Sequence, residues 1–256
     1  MLSYLQSLLI VLVSVGAALG VSVVVSRWMN DSLRERSNLV NSSQMIMLGT
    51  IYGVLLGFML SDAWIAYQRA GDDVRSEAAA ALTIYRSSSL LPSSCALPLQ
   101  SAAADYVKTV IAVEWPSMEE HRADFRGTSI ISRMWGIVDS CSRDGGLSET
   151  ARENTIGALE TLQTCREARM EDYSGHLPLM MWCVLLFGAT AVVTASTLLG
   201  NERKYIHALH VVSLTVLISV SLLTISDLDR PFDGGTRVDS AAFRAVAEAI
   251  EGQPGS

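Results

Sequence analysis

Apolar residues in this chain are gathered into blocks. Met1 to Ser26 contains no charged residue and reads LLIVLVSVGAALGVSVVV at its centre. Ser37 to Ser61 is equally free of charge and contains MIMLGTIYGVLLGFML. Tyr173 to Asn201 lacks Asp, Glu, Lys and Arg and holds LPLMMWCVLLFGATAVVTASTLL. Tyr205 to Ser226 is the fourth block, with HVVSLTVLISVSLLTI. A helix rises about 1.5 Å per residue and the hydrocarbon core of a bilayer is about 30 Å thick, so about 20 apolar residues cross it. The pattern predicts four transmembrane helices. The first block lacks a basic leader segment and outlasts a signal-peptide core of roughly 7–15 residues, so it reads as an uncleaved anchor.

Between the second and third blocks the pattern changes to amphipathic helix. Val74, Ala78, Ala81, Leu82 and Tyr85 fall on one face of an Ala-rich segment that continues the second block. LPSSCALP reads as a Pro-bounded turn. Tyr106, Val110 and Ile111 mark the next helix, which Pro116 is expected to end. SIISRMWGIVDSC is a shorter helix, and SRDGG a turn. Ile156, Leu159, Leu162 and Cys165 share one stripe of the last helix. No run alternates apolar and polar residues, so no strand is expected.

The predicted fold is all-α: a polytopic membrane protein with four transmembrane helices in two hairpins and a helical extramembrane domain inserted between them. Its segments are a hairpin over 1–61, a helical domain over 62–176, a second hairpin over 177–227 and a tail over 228–256. Half of the 256 residues are hydrophobic and only 18% are charged. The net charge of −7 excludes the basic surface expected of a nucleic-acid binder. That charge falls largely on 62–176, which carries eleven Lys and Arg against seventeen Asp and Glu. Most of it reads as a solvated face.

Orientation can be argued from basic residues near the spans. The two hairpin loops carry Arg27, Arg34, Arg36, Arg203 and Lys204, which favours loops in the cytoplasm. Arg69, Arg75, Arg166, Arg169, Arg230 and Arg237 lie on the other side, so the total count points the opposite way. Cys95 and Cys141 read as turn residues flanking helices. Paired, they would imply an oxidising compartment; free thiols are the alternative.

No enzyme constellation is present: there is no phosphate loop, no G-x-G-x-x-G, no H-E-x-x-H, no G-x-S-x-G and no C-x-x-C pair. The chain is read as no enzyme, with no cofactor and no metal centre. His207 and His210 share a helix face, but two ligands do not make a site, and they read, with His176, as interfacial. No charged residue lies deep in a span, which disfavours a proton relay and leaves a passive pore open. Gly49, Gly53 and Gly57 form one stripe, suited to helix packing or to a pore face. Asp227, Asp229 and Asp233 cluster beyond the last span. They supply oxygens of the kind hard cations bind, but their spacing departs from an EF-hand. An acidic turn with its geometry set by Gly234 and Gly235 is the alternative.

The segments GTIYGVLLGFMLSDAWIAYQRAGDDVRSEAAAALTIYR, DYVKTVIAVEWPSM and LDRPFDGGTRVDSAAF resemble the bestrophin-like domain family. The resemblance covers about Ser37 to Phe243. A more remote similarity links Leu56, Gly57 and Phe58, then Trp64 and Tyr67, and finally Pro231 and Phe232, to the bestrophin anion channels. It implies a pentamer in which the second helix lines a narrow neck, with Thr50, Val54 and Phe58 facing it. Small anions and the lipid bilayer of a bacterial inner membrane are the implied partners. Three features depart from the channels. Trp64 and Tyr67 lie about one helical turn closer to Phe58, Thr50 is polar, and Asp-Gly-Gly follows Phe232 in place of an acidic run. The resemblance also places the helical domain in the cytoplasm, and that side is the expectation adopted. The rival reading is a non-conducting membrane scaffold or sensor whose helical domain binds a protein partner.

Overall fold

The structure is a computed structural model, and it describes residues 4–28, 31–120, 122, 124–143, 149–173, 177–199, 204–233 and 235–252. His176, Arg203 and Gly234 lie outside these residues. The described elements are helical: α1 (Tyr4–Trp28), α2 (Asp31–Ser88), α3 (Ser93–Thr109), a π-turn (Val110–Glu114), α4 (Trp115–Glu119), α5 (Arg126–Arg143), α6 (Glu149–Asp172), α7 (Leu179–Leu198), α8 (Lys204–Leu228) and α9 (Ala241–Glu251). Among the described residues there is no strand. Stretches within α1, α2, α7 and α8 are long and apolar enough to cross a membrane. The all-helical, four-span fold expected of the sequence is the one observed.

The chain divides into two compact units. One comprises Met1–Ala66, His176–Asp229 and Gly234–Thr236; the other comprises Tyr67–Gly175, Arg230–Asp233 and Arg237–Ser256. In the membrane unit α1 packs on α7 and α8, and α7 packs on α8. Tyr52, Val192 and Ile218 form a small core there, joined by Leu55, Leu56, Ala189 and Leu214. Its large apolar residues are mostly exposed on the single chain, Leu12, Val13, Phe58 and Phe187 among them. Such a surface requires lipid or further protein to cover it.

In the helical unit, the main core gathers Val74, Ile84, Leu99, Tyr106, Met134, Leu159 and Phe243 from five helices. On α2 the buried positions are Ala70, Val74, Glu77, Ala81, Ile84 and Ser88. They alternate by four and three residues, the spacing of one helical stripe. On α6 Thr155, Leu159, Leu162, Arg166 and Arg169 repeat the spacing.

Three local expectations are corrected. LPSSCALP is not a turn throughout: α3 begins at Ser93 and carries Pro98 inside it. Cys95 therefore lies in the first turn of α3 and Cys141 in the last turn of α5. Pro116 does not end its helix, because the π-turn widens the backbone immediately before it and Pro116 enters α4 at its start. A proline there removes an N–H that the first helical turn leaves unpaired in any case. The tail also holds more structure than expected. α9 buries Phe243 and Val246 in the helical unit. Cys95 and Cys141, left open between bridge and free thiols by sequence, are joined by a disulfide with their Cα atoms 6.1 Å apart.

Candidate functional site

The face of α2 that bears the sequence-predicted pore residues is open. Thr50 and Gly53 are exposed, Val54 is 55% exposed and Phe58 71%. A Cβ added at Gly49, Gly53 or Gly57 would meet nothing within 4 Å. The opposite face is filled by Tyr52, Met59 and Ala63, all buried. Tyr52 is fixed from two directions. Its hydroxyl donates to the Leu185 carbonyl at 3.2 Å. Its ring lies so close to Gly188 that a Cβ there would sit 2.5 Å from Cδ2. Tyr52 thus seats α2 on α7 and turns Thr50, Val54 and Phe58 outward. The Thr50 hydroxyl donates to the Ile46 carbonyl one turn back, at 2.7 Å. Its hydrogen is engaged within the helix, so Thr50 presents a less polar surface than its side chain suggests.

Beyond the last span, the three aspartates hold backbone. Asp227 accepts hydrogen bonds from the Gly235 N–H and, at 2.9 Å, from the Thr236 N–H. Asp229 accepts the Leu177 N–H at 2.8 Å. Asp233 is buried, and its own N–H donates to the Arg230 carbonyl at 3.4 Å. Among the described residues no group of three His, Cys, Asp or Glu side chains is placed to hold a metal ion. Phe232, the second residue of the Pro-Phe pair, meets Trp115 edge-on with ring centroids 5.9 Å apart.

His207 and His210 line a cavity of about 640 Å³ in the membrane unit, with Met45, Ser196, Ser213 and Leu214. The His207 Nε2 lies 3.2 Å from the Ser22 hydroxyl. The pair therefore joins a polar lining between helices, without the further ligands a metal needs.

The helical unit contains a cluster that the sequence reading missed. Glu77 of α2, Glu114 of the π-turn and Arg169 of α6 are fully buried, and Arg166 is nearly so. The Arg169 guanidinium donates from Nε and Nη2 to both Glu77 oxygens, at 2.7 and 2.8 Å, and from Nη2 to Glu114 at 2.7 Å. It also lies over the Trp115 ring, 5.7 Å from the centroid. Arg166 donates to Glu114 at 2.8 Å and to the Thr128 hydroxyl at 2.9 Å. The Gly127 N–H completes Glu114 at 3.0 Å. Tyr106 donates its hydroxyl to Glu77 at 2.5 Å. Burial, with the Glu77 charge beside it, pushes the Tyr106 hydroxyl well above its usual range. Two carboxylates and two guanidiniums cancel, so the cluster is electrically neutral. It joins α2, the π-turn and α6 without offering a free charge to a ligand.

The cluster has a signal in the sequence. Glu77, Arg166 and Arg169 each continue the apolar stripe of their own helix by steps of three or four. A charge in such a position is buried by its neighbours and must find a partner.

A family model for the bestrophin-like domain matches residues 12–243. A search of curated proteins found no match. Among solved structures, a point mutant of a bacterial bestrophin homologue from Klebsiella pneumoniae is similar with a TM-score of 0.73 at 14% identity, covering 97% of this chain and 100% of that one. A second structure of a homologue from that organism gives a TM-score of 0.68 at 15% identity, with 95% of each chain covered. A crystal structure described as a membrane protein mutant gives 0.73 at 14% identity, covering 97% and 99%. Identities this low establish a common fold. The family match extends over most of the sequence, and the chain belongs to the bestrophin-like domain family.

Proposed function

We propose that this chain assembles as a closed homo-oligomer around α2 in a bacterial inner membrane and conducts small anions, with Thr50, Val54 and Phe58 facing the pathway. The observation that carries the reading is the open, uncharged face of α2. The residues from Val40 to Ser61 include no charged side chain. One face of that stretch is seated on α7 through Tyr52, and the other is covered by nothing in the single chain. In a closed ring each subunit gives the same surface to the axis. Five copies are the number that resemblance to the bestrophin channels suggests. An apolar constriction of this kind gates by wetting and by width and needs no fixed charge.

The test is flux. Purified protein in liposomes releases chloride faster than empty liposomes, and Phe58→Ala or Val54→Ala changes the rate. Flux equal to that of empty liposomes across several pH values and calcium levels refutes conduction. A monomer or a dimer by mass refutes the ring.

A further inference from the structure

We propose that Cys95 and Cys141 form a disulfide in the working protein, and that the helical unit lies on the oxidising, extracytoplasmic side of the membrane with both hairpin loops in the cytoplasm. The inference rests on the four-span membrane reading and not on conduction.

Geometry supports the bridge. Cys95 lies in the first turn of α3 and Cys141 in the last turn of α5, and these two helices pack along each other. Their Cα atoms are 6.1 Å apart, inside the range a disulfide spans. Both residues are buried, so the bridge is shielded once formed. The remaining cysteines are Cys165, buried on α6, and Cys183 within the third span. The helical unit therefore exposes no free thiol. Burial pushes the Cys165 thiol up from its usual value, which keeps it protonated and poor at exchange. Cytoplasmic thiol pools keep such pairs reduced, whereas the periplasm and the cell exterior oxidise them. Formation requires only a protein disulfide of that compartment as oxidant. The two thiols lose two protons and two electrons, one S–S bond forms, and the oxidant's disulfide becomes a dithiol.

Charge supports the same side independently. The positive-inside rule counts Lys and Arg in short loops, up to roughly 60 residues, because long domains cross largely regardless of charge. The segment 62–176 exceeds that length, so its arginines drop out of the count. The short loops carry Arg27, Arg34, Arg36, Arg203 and Lys204. No Lys or Arg precedes Arg27, and Arg230, Arg237 and Arg244 follow the last span. The excess lies in the hairpin loops. A cytoplasmic helical domain was expected from family resemblance. The fold shared with the neighbours at 14–15% identity does not carry orientation with it.

The test uses the full chain with Cys165→Ala and Cys183→Ala, expressed in a bacterium whose outer membrane admits the reagents. Thiols are trapped by acid in intact cells, and a maleimide mass tag is applied under denaturing conditions. The bridge predicts no tag before reduction and two after it. Leu90 of the helical unit and Trp28 at the end of α1 are 81% and 87% exposed. In that background, Leu90→Cys should react with a membrane-impermeant maleimide in intact cells, and Trp28→Cys only after lysis. Two tags before reduction overturn the proposal, as does any pattern other than Leu90→Cys reacting alone in intact cells. Neither readout involves ion flux, so loss of conduction with this topology intact would refute only the channel.

Discussion

Replacing Arg169 with Met tests whether the buried cluster holds the helical unit together. The side chain is fully buried and makes three charge-assisted hydrogen bonds, two to Glu77 and one to Glu114. Met fills a similar elongated space but donates nothing. Glu114 keeps Arg166 and the Gly127 N–H, while Glu77 keeps only the Tyr106 hydroxyl. The pocket then holds one uncompensated negative charge. Breaking a buried pair in this way costs about 3–5 kcal/mol. Against a domain stability of roughly 5–15 kcal/mol, that is a large fraction of the total. At roughly 2–4 °C per kcal/mol for chains near this size, the apparent midpoint should fall by about 10 °C. Tryptophan fluorescence of the detergent-solubilised protein on heating, at a fixed scan rate, reads it. The decisive comparison adds Glu77→Gln. The amide still accepts from Tyr106 and carries no charge, so the double variant should recover at least half of the loss. A midpoint within about 2 °C of wild type for Arg169→Met refutes the reasoning. So does a double variant no more stable than the single one, because the cost would then lie in lost packing rather than in the orphaned charge.

Gly188→Ala should lower stability by about 1–3 kcal/mol, since its methyl would collide with the Tyr52 ring. If Tyr52 seats α2, pairing it with Tyr52→Leu should relieve most of that loss, which a melting curve in detergent would show. Asp124 accepts the Arg126 N–H at 2.9 Å, and this bond with the Arg126 guanidinium holds its carboxyl below the ordinary value of 3.8. A lowered carboxyl stabilises the fold above its unfolded value, and the contribution is lost as pH falls through the folded one. Wild type and Asp124→Asn should therefore differ in thermal midpoint at neutral pH and converge below about pH 4. A constant difference across that range would remove Asp124 from the acid response.

The membrane unit was legible because its signal is compositional. An uncharged, apolar run of about 20 residues matches the thickness of a bilayer and little else, and the family likeness lay in the same stretch. The helical unit was legible in outline and misread in its interior. Val74, Ala81 and Leu159 announce a buried stripe by being apolar. Glu77 and Arg169 occupy the same kind of stripe and look like surface charge, because they are partners 92 residues apart in sequence. Only the three-and-four spacing betrays them. The π-turn and the Cys95–Cys141 bridge were illegible for a related reason. Each depends on how α3 meets its neighbours, which no local pattern encodes. The outward face of α2 was proposed from family likeness, and spacing alone placed Gly49, Gly53 and Gly57 on one stripe without saying which way it points.

The π-turn over Val110–Glu114 has a consequence for how this sequence can drift. Such a turn holds about one residue more than an α-helix would use to cover the same rise. Each helical residue advances the winding by about 100°, so that one residue sets the phase of everything after it. Glu114 and Trp115 reach the interior only in the shifted phase. Deleting Ala112 would return the segment to ordinary α-helical winding and swing both side chains about a quarter-turn away from Arg169. Relatives that lack the extra residue must supply their carboxylate from another position. A one-residue gap at this point in an alignment therefore marks a rewired interior.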